Sequence, residues 1–316
     1  LRPTPATPSI DFTRLRWVSV VVFALLTVAT IAAIAGKGFN YALDFTGGTV
    51  VELRFEQPAD VDGVRERLAE AGYPGAQVQT FGSGSDLLVR LQPRDGQTSA
   101  DATSRTASEV LAAASMDGNA ATIQSSAFVG PQVGRDLAWN GLYAVLFVVV
   151  GFLIYIGFRF EWKFAIAAIV TTLNDVLIVA GWFAVSGQEF DLTVLAGLLS
   201  VMGFSINDTI VVFDRVRENF RSMRAPPMEV LNASINQTLS RTVITSVVAF
   251  LTVLALYLYG GGSLEGMSLS MMAGIVIGTL SSIFVACPLL TMGFLKVTKQ
   301  DLLPKARDDA ELARRP

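Results

Sequence analysis

Three ionisable residues lie in or beside long apolar stretches of the sequence, where charge is costly and usually has a function. Asp175 lies near the middle of one stretch, Asp208 lies toward one end of the next, and Arg241 lies at the edge of a third. A carboxyl group can bind and release a proton as a guanidinium moves away from it or towards it. The pattern predicts proton transport at Asp208, with Arg241 beside it and Asp175 as a further carrier. A structural hydrogen bond is the alternative for each Asp, and a cytoplasmic anchor is the alternative for Arg241.

The composition limits the chemistry available to this chain. Of its 316 residues, 52% are hydrophobic and 16% are charged, whereas a soluble domain has about 25% charged residues. Histidine is absent and Cys287 is the single cysteine, which excludes a His proton relay and a Cys-based zinc site. The sequence contains no Walker motif and no visible nucleophile–base set. We therefore expect a transport component that is not an enzyme and that uses no cofactor, ATP or nucleic acid.

Six apolar stretches are long enough to cross a bilayer, which takes about 20 residues. They are residues 17–35, 137–158, 164–185, 192–213, 242–259 and 267–295. The short loops 186–191 and 260–266 contain no Lys or Arg, whereas the opposite loops and both chain ends are basic. The positive-inside rule then predicts cytoplasmic termini.

The polar stretch between the first two spans predicts a domain outside the cytoplasm. Alternation of Val51, Leu53 and Phe55 with polar residues indicates a strand, and the complete pattern is βαββαβ. The sequence thus predicts an α-helical integral membrane protein with six transmembrane helices and an inserted α+β ferredoxin-like domain. Its parts are residues 1–36 (N-terminus and first helix), 37–135 (extracytoplasmic domain), 136–296 (five further helices) and 297–316 (cytoplasmic tail).

Two smaller patterns concern helix packing. Met228, Leu231, Ile235 and Leu239 share one helical face after Pro226-Pro227, which predicts an interfacial helix leading into the fifth span. A loop is expected over residues 214–219. Small residues also recur every four positions in the sixth span, and this stripe suits close packing either within the chain or against a partner. The stripe consists of Gly274, Gly278, Ser282 and Ala286.

Several motifs resemble the SecF family, the membrane subunits of bacterial Sec protein export. They are Asp44-Phe45-Thr46-Gly47-Gly48-Thr49, Val129-Gly130-Pro131-Gln132-Val133-Gly134, Asn207-Asp208-Thr209, Asp214-Arg215-Val216-Arg217-Glu218-Asn219 and Leu239-Ser240-Arg241-Thr242. Gly47 and Gly48 also suit a sharp turn out of the first span.

The resemblance implies a mechanism that spacing alone does not supply. It implies a subunit of the bacterial inner membrane that pairs with SecD, a related six-span protein. Together they would use the proton-motive force to promote preprotein translocation through SecYEG, with YajC as another candidate partner. The proton-linked Asp and Arg of the family fall on Asp208 and Arg241. SecF and SecD are similar to halves of a resistance-nodulation-division transporter.

Two alternative functions fit the same composition. A half-transporter of a drug or lipid exporter would share the six spans, but one external domain offers a poor cavity for small molecules. A passive scaffold that steadies the channel would tolerate neutral residues at positions 208 and 241.

Overall fold

The computed structural model describes residues 10–81, 84–91, 100–115, 118–260, 264–292, 295 and 297. The expected cytoplasmic tail after residue 297 and part of the turn around residues 82–85 lie outside the described residues. The helices are α1 (Arg16–Lys37), α2 (Leu43–Thr46), α3 (Val61–Glu70), α4 (Ala100–Ala114), α5 (Pro131–Arg159), α6 (Trp162–Ser186), α7 (Leu192–Ser222), α8 (Pro227–Tyr259), α9 (Glu265–Ser281) and α10 (Cys287–Leu289). The strands are β1 (Asn40–Tyr41), β2 (Gly48–Phe55), β3 (Gln77–Phe81), β4 (Asp86–Leu91), β5 (Ala121–Val129) and β6 (Glu189–Phe190).

The segment between α1 and α5 folds as the predicted βαββαβ unit. Its four strands are antiparallel and lie in the order β3-β4-β2-β5, so the last strand pairs with the first. Val51, Leu53 and Phe55 on β2 are buried against Val64 of α3 and Val110 of α4. The period-two alternation puts these side chains on the face that the helices cover. This arrangement is that of a ferredoxin-like domain.

Six helices in the described part of the chain are long and apolar enough to cross a membrane. In α6, in α7 and in the helix that starts with α9, half of the residues in the apolar stretch are buried inside the protein. In α1, α5 and α8, at most 17% of these residues are buried. The first three therefore form the centre of the membrane domain. The other three present apolar surfaces to lipid or to a partner subunit.

The end of α7 and the beginning of α8 differ from the sequence prediction. Residues 214–219 are not a loop, because α7 continues as a helix to Ser222. The predicted interfacial helix is not separate either, since α8 runs unbroken from Pro227 to Tyr259. Leu231 and Ile235 do face inward, packed in one cluster with Phe220 of α7. The polar end of α7 and the polar beginning of α8 pack against each other. This packing stabilises both segments as helices outside the apolar stretches.

The small-residue stripe of the sixth span packs within the chain. A β-carbon on Gly274 would collide with Val201 of α7, and one on Gly278 would lie 3.3 Å from Cβ of Ser205. Ser282 and Ala286 are fully buried and belong to a π-helical segment, Ser282–Ala286, that links α9 to α10. Of the two alternatives, the structure therefore favours packing between α9 and α7.

Candidate functional site

Asp208 lies on α7 where this helix faces α8, and only 3% of its surface is exposed. Its Oδ2 lies 3.5 Å from the hydroxyl of Ser246, and that hydroxyl lies 2.7 Å from the carbonyl oxygen of Thr242. A serine hydroxyl has a single proton, and the shorter contact takes it. Thr279 Oγ1 also lies 2.7 Å from the Ser246 oxygen, but its own proton goes to the carbonyl oxygen of Ile275 at 2.6 Å. The carboxyl group is therefore buried but weakly hydrogen-bonded.

Arg241 lies on the neighbouring helix but does not pair directly with Asp208. Its side chain is exposed, and the ion pairs of the described residues do not include it. The guanidinium still acts on Asp208 by Coulombic attraction through space. The contact that the sequence suggested is thus absent in this conformation, although both groups lie at the α7–α8 junction.

Asp175 occupies a second buried position, on α6 between α7 and α9. It is fully buried, and its Oδ2 accepts hydrogen bonds from Ser205 at 2.6 Å and Ser281 at 2.7 Å. Its Oδ1 is buried without a hydrogen-bond partner. Ser281 is followed at once by the π-helical segment Ser282–Ala286, and such irregularities are frequent at functional sites. Asp175 therefore joins three central helices and retains one free acceptor atom.

The hydroxyl partners of the two carboxylates were not found from the sequence. Ser205, Ser246, Ser281 and Thr279 all lie in apolar helices. Hydroxyl side chains in helices commonly bond to the carbonyl one turn earlier, as the Thr279 hydroxyl does here to Ile275. A Ser or Thr in an apolar helix therefore does not indicate a contact with a carboxylate. Only the way in which the helices pack against each other reveals these contacts.

The motif residues at the end of the membrane domain that faces the ferredoxin-like domain shape two helix beginnings. Asp44 Oδ2 accepts a hydrogen bond from the backbone N–H of Leu192, the first residue of α7. Gly47 and Gly48 have φ angles of 71° and 133°, which only glycine adopts readily. They form a sharp turn, but it lies between α2 and β2 and does not directly follow the first span, which ends at Lys37. Gly130 precedes Pro131, the first residue of α5, and proline is favoured at that position. These residues position the beginnings of helices and of β2.

Polar motif residues at the other end of α7 form a bracket of ion pairs and hydrogen bonds. Asp214 accepts two hydrogen bonds from Arg159 at 2.9 and 3.1 Å, and Arg217 reaches Glu161 at 3.2 Å. Asn219 donates to Ser234 at 2.9 Å and to Gln237 at 3.0 Å, both on α8. Arg215 pairs with Glu218 of the same helix at 2.9 Å. The bracket thus joins α7 to the α5–α6 turn and to the start of α8, whereas Asn207 is exposed on α7.

Comparisons with known proteins agree with this architecture. Residues 109–295 match the family model described as "Protein export membrane protein SecD/SecF, C-terminal", and residues 32–59 match the SecD/SecF GG motif. The protein translocase subunits SecF of Escherichia coli O157:H7 and Pseudomonas aeruginosa are each 44% identical to the chain. The alignments cover 88% and 95% of the chain and 86% and 96% of these relatives.

A solved structure extends the similarity to three dimensions. The crystal structure of SecDF, a translocon-associated membrane protein from Thermus thermophilus, matches with a TM-score of 0.80 and 38% sequence identity. The match covers 92% of this chain and 39% of the SecDF chain, so the chain corresponds to about two fifths of that longer protein.

Proposed function

Because the chain belongs to the SecF family of protein translocase subunits, we propose that it uses the proton-motive force to promote preprotein translocation. It acts with SecD, beside the SecYEG channel, in the bacterial inner membrane. Relatives in which SecD and SecF form one SecDF chain support the partnership with SecD. YajC is a further candidate partner. Asp208 carries the proton in this chain, and Arg241 tunes its binding.

The observation that carries this proposal is the incomplete hydrogen bonding of a buried carboxyl group. Asp208 is 3% exposed, and among the described residues its one hydrogen-bond contact is 3.5 Å long and no cation pairs with it. The hydroxyls of the adjacent Thr209 and of Thr242 are also buried without partners. Burying polar groups without hydrogen bonds costs free energy, and a purely structural aspartate gains nothing that offsets this cost. A proton-binding group that changes partners during a cycle accounts for it.

Arg241 supports a cycle because it is near Asp208 without being bound to it. A guanidinium keeps its proton, so it acts as a permanent positive charge. Movement of α8 toward α7 would bring this charge to Asp208 and favour the ionised carboxylate. Movement away would favour proton binding, and by reciprocity proton binding favours the separated arrangement. Coupling of this kind turns proton flow into helix movement.

The orientation follows from the basic residues of the short loops. Arg159, Arg215 and Arg217 lie at the end of the membrane domain opposite Glu189, and positive charge marks the cytoplasmic side. Both termini are then cytoplasmic, and the ferredoxin-like domain lies outside the cytoplasm. We propose the domain boundaries 1–36, 37–135, 136–296 and 297–316 on this basis. The external domain is placed where it can meet an emerging preprotein or SecD.

The test is preprotein export in membrane vesicles that contain SecD, with and without an imposed proton gradient. Asp208→Asn should abolish the part of export that depends on the gradient while SecD still co-purifies. Arg241→Lys should retain partial activity at most, because lysine can lose its proton when buried. Asp136→Asn is the matched control, since it removes an exposed carboxylate at the outer end of α5. Normal gradient-dependent export by Asp208→Asn would instead support the passive scaffold.

Asp175 is proposed as a second proton carrier on the strength of its free Oδ1. Asp175→Asn preserves the shape of the side chain, and its carbonyl oxygen can still accept from Ser205 and Ser281. Loss of gradient-dependent export with normal assembly would support a proton-carrying role. Full export would show that the hydrogen bonds of Asp175 serve only the packing of α6, α7 and α9.

A further inference from the structure

Arg90 joins the external domain to the membrane domain through a half-enclosed ion pair. It lies on β4 of the ferredoxin-like sheet and pairs with Glu189 on β6, in the short connection between α6 and α7. The two side chains are 13% and 18% exposed. Burial lowers the pKa of Arg90 to about 10, although attraction to Asp191 and Asp44 partly offsets this effect by raising the pKa. At neutral pH Arg90 is therefore a cation that faces three acidic residues.

Two of these acidic residues also hold the beginning of α7. Asp191 Oδ1 accepts a hydrogen bond from the backbone N–H of Val194 at 2.7 Å. Asp44 Oδ2 accepts one from Leu192 at 3.1 Å. Side chains of this kind satisfy the unpaired N–H groups of a first helical turn. A shift of this turn therefore moves the acidic residues that Arg90 faces.

The same helix carries Asp208. This residue follows Asp191 by 17 positions, which is about 25 Å along a helix that rises 1.5 Å per residue. The helix is continuous from Leu192 to Ser222. A rigid shift of α7 at Asp208 would therefore also move the turn beside Arg90.

A large gap surrounds this contact. A cavity of about 850 Å³ separates the external domain, at Val78 and Leu88, from the membrane domain, at Gln188 and Gly266. Arg90 and Glu189 both line the cavity. Much of the facing surface of the sheet is therefore unpacked, and the ion pair bridges the two sides.

We infer that Arg90 is a positioning residue that couples movement of α7 to the external domain. The inference rests on the proposed function, because it takes proton binding at Asp208 as the origin of the movement. A shift of α7 displaces the acidic group formed by Asp44, Glu189 and Asp191. Arg90, which is attracted to this group, then pulls β4 in the same direction. Without this link, the external domain would keep its connection through α5 and the glycine turn before β2 but lose its attachment to α7.

The experiment measures domain position and export in the same SecD-containing vesicles. Nitroxide labels on Glu66→Cys, in α3, and Gln188→Cys report the distance between the two domains. Both positions are exposed, and the native Cys287 is buried. Arg90→Gln and Glu189→Gln each remove one side of the ion pair. Arg54→Gln is the control, because Arg54 pairs with Asp86 inside the same sheet.

Both pair variants should broaden the distance distribution and lower, by about tenfold or more, the ratio of domains held against the membrane domain to domains released from it. Arg90→Gln leaves Glu189 without its cation, and Glu189→Gln removes the direct partner of Arg90. Gradient-driven export should fall while proton uptake by the complex continues. Arg90→Lys should restore part of both the docking and the export, whereas a residue needed only for stability would not separate proton uptake from export.

An unchanged distance distribution in both pair variants would overturn the inference, and so would normal export from a visibly undocked domain. A different variant tests the proposed function. Normal gradient-dependent export by Asp208→Asn, which leaves Arg90 in place, would contradict the proposed function and not the role of Arg90.

Discussion

Replacement of Gly274 by alanine should test the close contact between α9 and α7. The added β-carbon would lie 2.5 Å from Cγ1 and 2.8 Å from Cβ of Val201. Carbon atoms are most stable about 3.5–4.0 Å apart, so the two helices would have to separate by about 1 Å. Val201 cannot easily turn aside, because it is buried and a β-branched side chain has one strongly preferred rotamer in a helix.

The expected loss of stability follows from two opposing terms. Overpacking of a tight contact costs about 3 kcal/mol at the upper end of the usual range. Alanine has the higher helix propensity and returns about 1 kcal/mol. Gly274→Ala should therefore lower the free energy of unfolding by about 2 kcal/mol. Gly203→Ala on α7 is the matched control, because a β-carbon there meets nothing within 4 Å, and it should be about 1 kcal/mol more stable than the parent protein.

The assay is denaturant unfolding of the purified chain in detergent micelles, followed by far-ultraviolet circular dichroism. The difference between Gly274→Ala and Gly203→Ala should be about 3 kcal/mol, since helix propensity cancels between them. Export should also fall in Gly274→Ala, because Val201 lies one turn from Ser205, the donor to Asp175. Equal free energies of unfolding for the two variants would refute the packing of α9 on α7.

Three further predictions concern the ends of α7 and the orientation of the chain. Asn219→Ala removes two hydrogen bonds to α8 and should lower the free energy of unfolding by about 1–2 kcal/mol in the same denaturation assay. Asp44→Ala leaves the N–H of Leu192 without its acceptor and should lower it by about 1 kcal/mol. In intact cells, a membrane-impermeant maleimide should label Gln188→Cys but not Ser222→Cys, since the proposed orientation places only the first outside the cytoplasm.

Each of these outcomes has a clear opposite. Parent-level stability of Asn219→Ala would mean that α8 is held to α7 by its apolar contacts alone. Parent-level stability of Asp44→Ala would mean that Asp191, which caps the same helix, suffices for its first turn. Labelling of Ser222→Cys in sealed cells would reverse the proposed orientation.

Local patterns in the sequence were enough to predict the spans and the ferredoxin-like domain. A bilayer crossing is a matter of length and apolarity, and the six predicted stretches correspond to the six long apolar helices. Alternating residues such as Val51 and Leu53 predict a strand from its two-residue period alone. The last turns of α7 were missed for the same reason, because their charged residues resemble a loop when only hydropathy is considered.

The charged part of the site was also visible in the sequence, but its geometry was not. Asp175 and Asp208 stand out because a carboxylate in an apolar run is costly. Their different surroundings depend on how the helices face each other. Asp175 meets two serine hydroxyls, whereas Asp208 has one long contact and is not paired with Arg241.

Arg90 marks the limit of inference from sequence. On β4 it alternates with Val89 and Leu91, which are buried, so it resembles an ordinary solvent-facing residue of a strand. Glu189, its partner, lies 99 positions later, after two membrane helices. Periodicity describes neighbours along the chain, and the strength of a charge pair depends on distance and burial in space. The sequence by itself therefore determined the elements, and only the tertiary structure decided which charges meet.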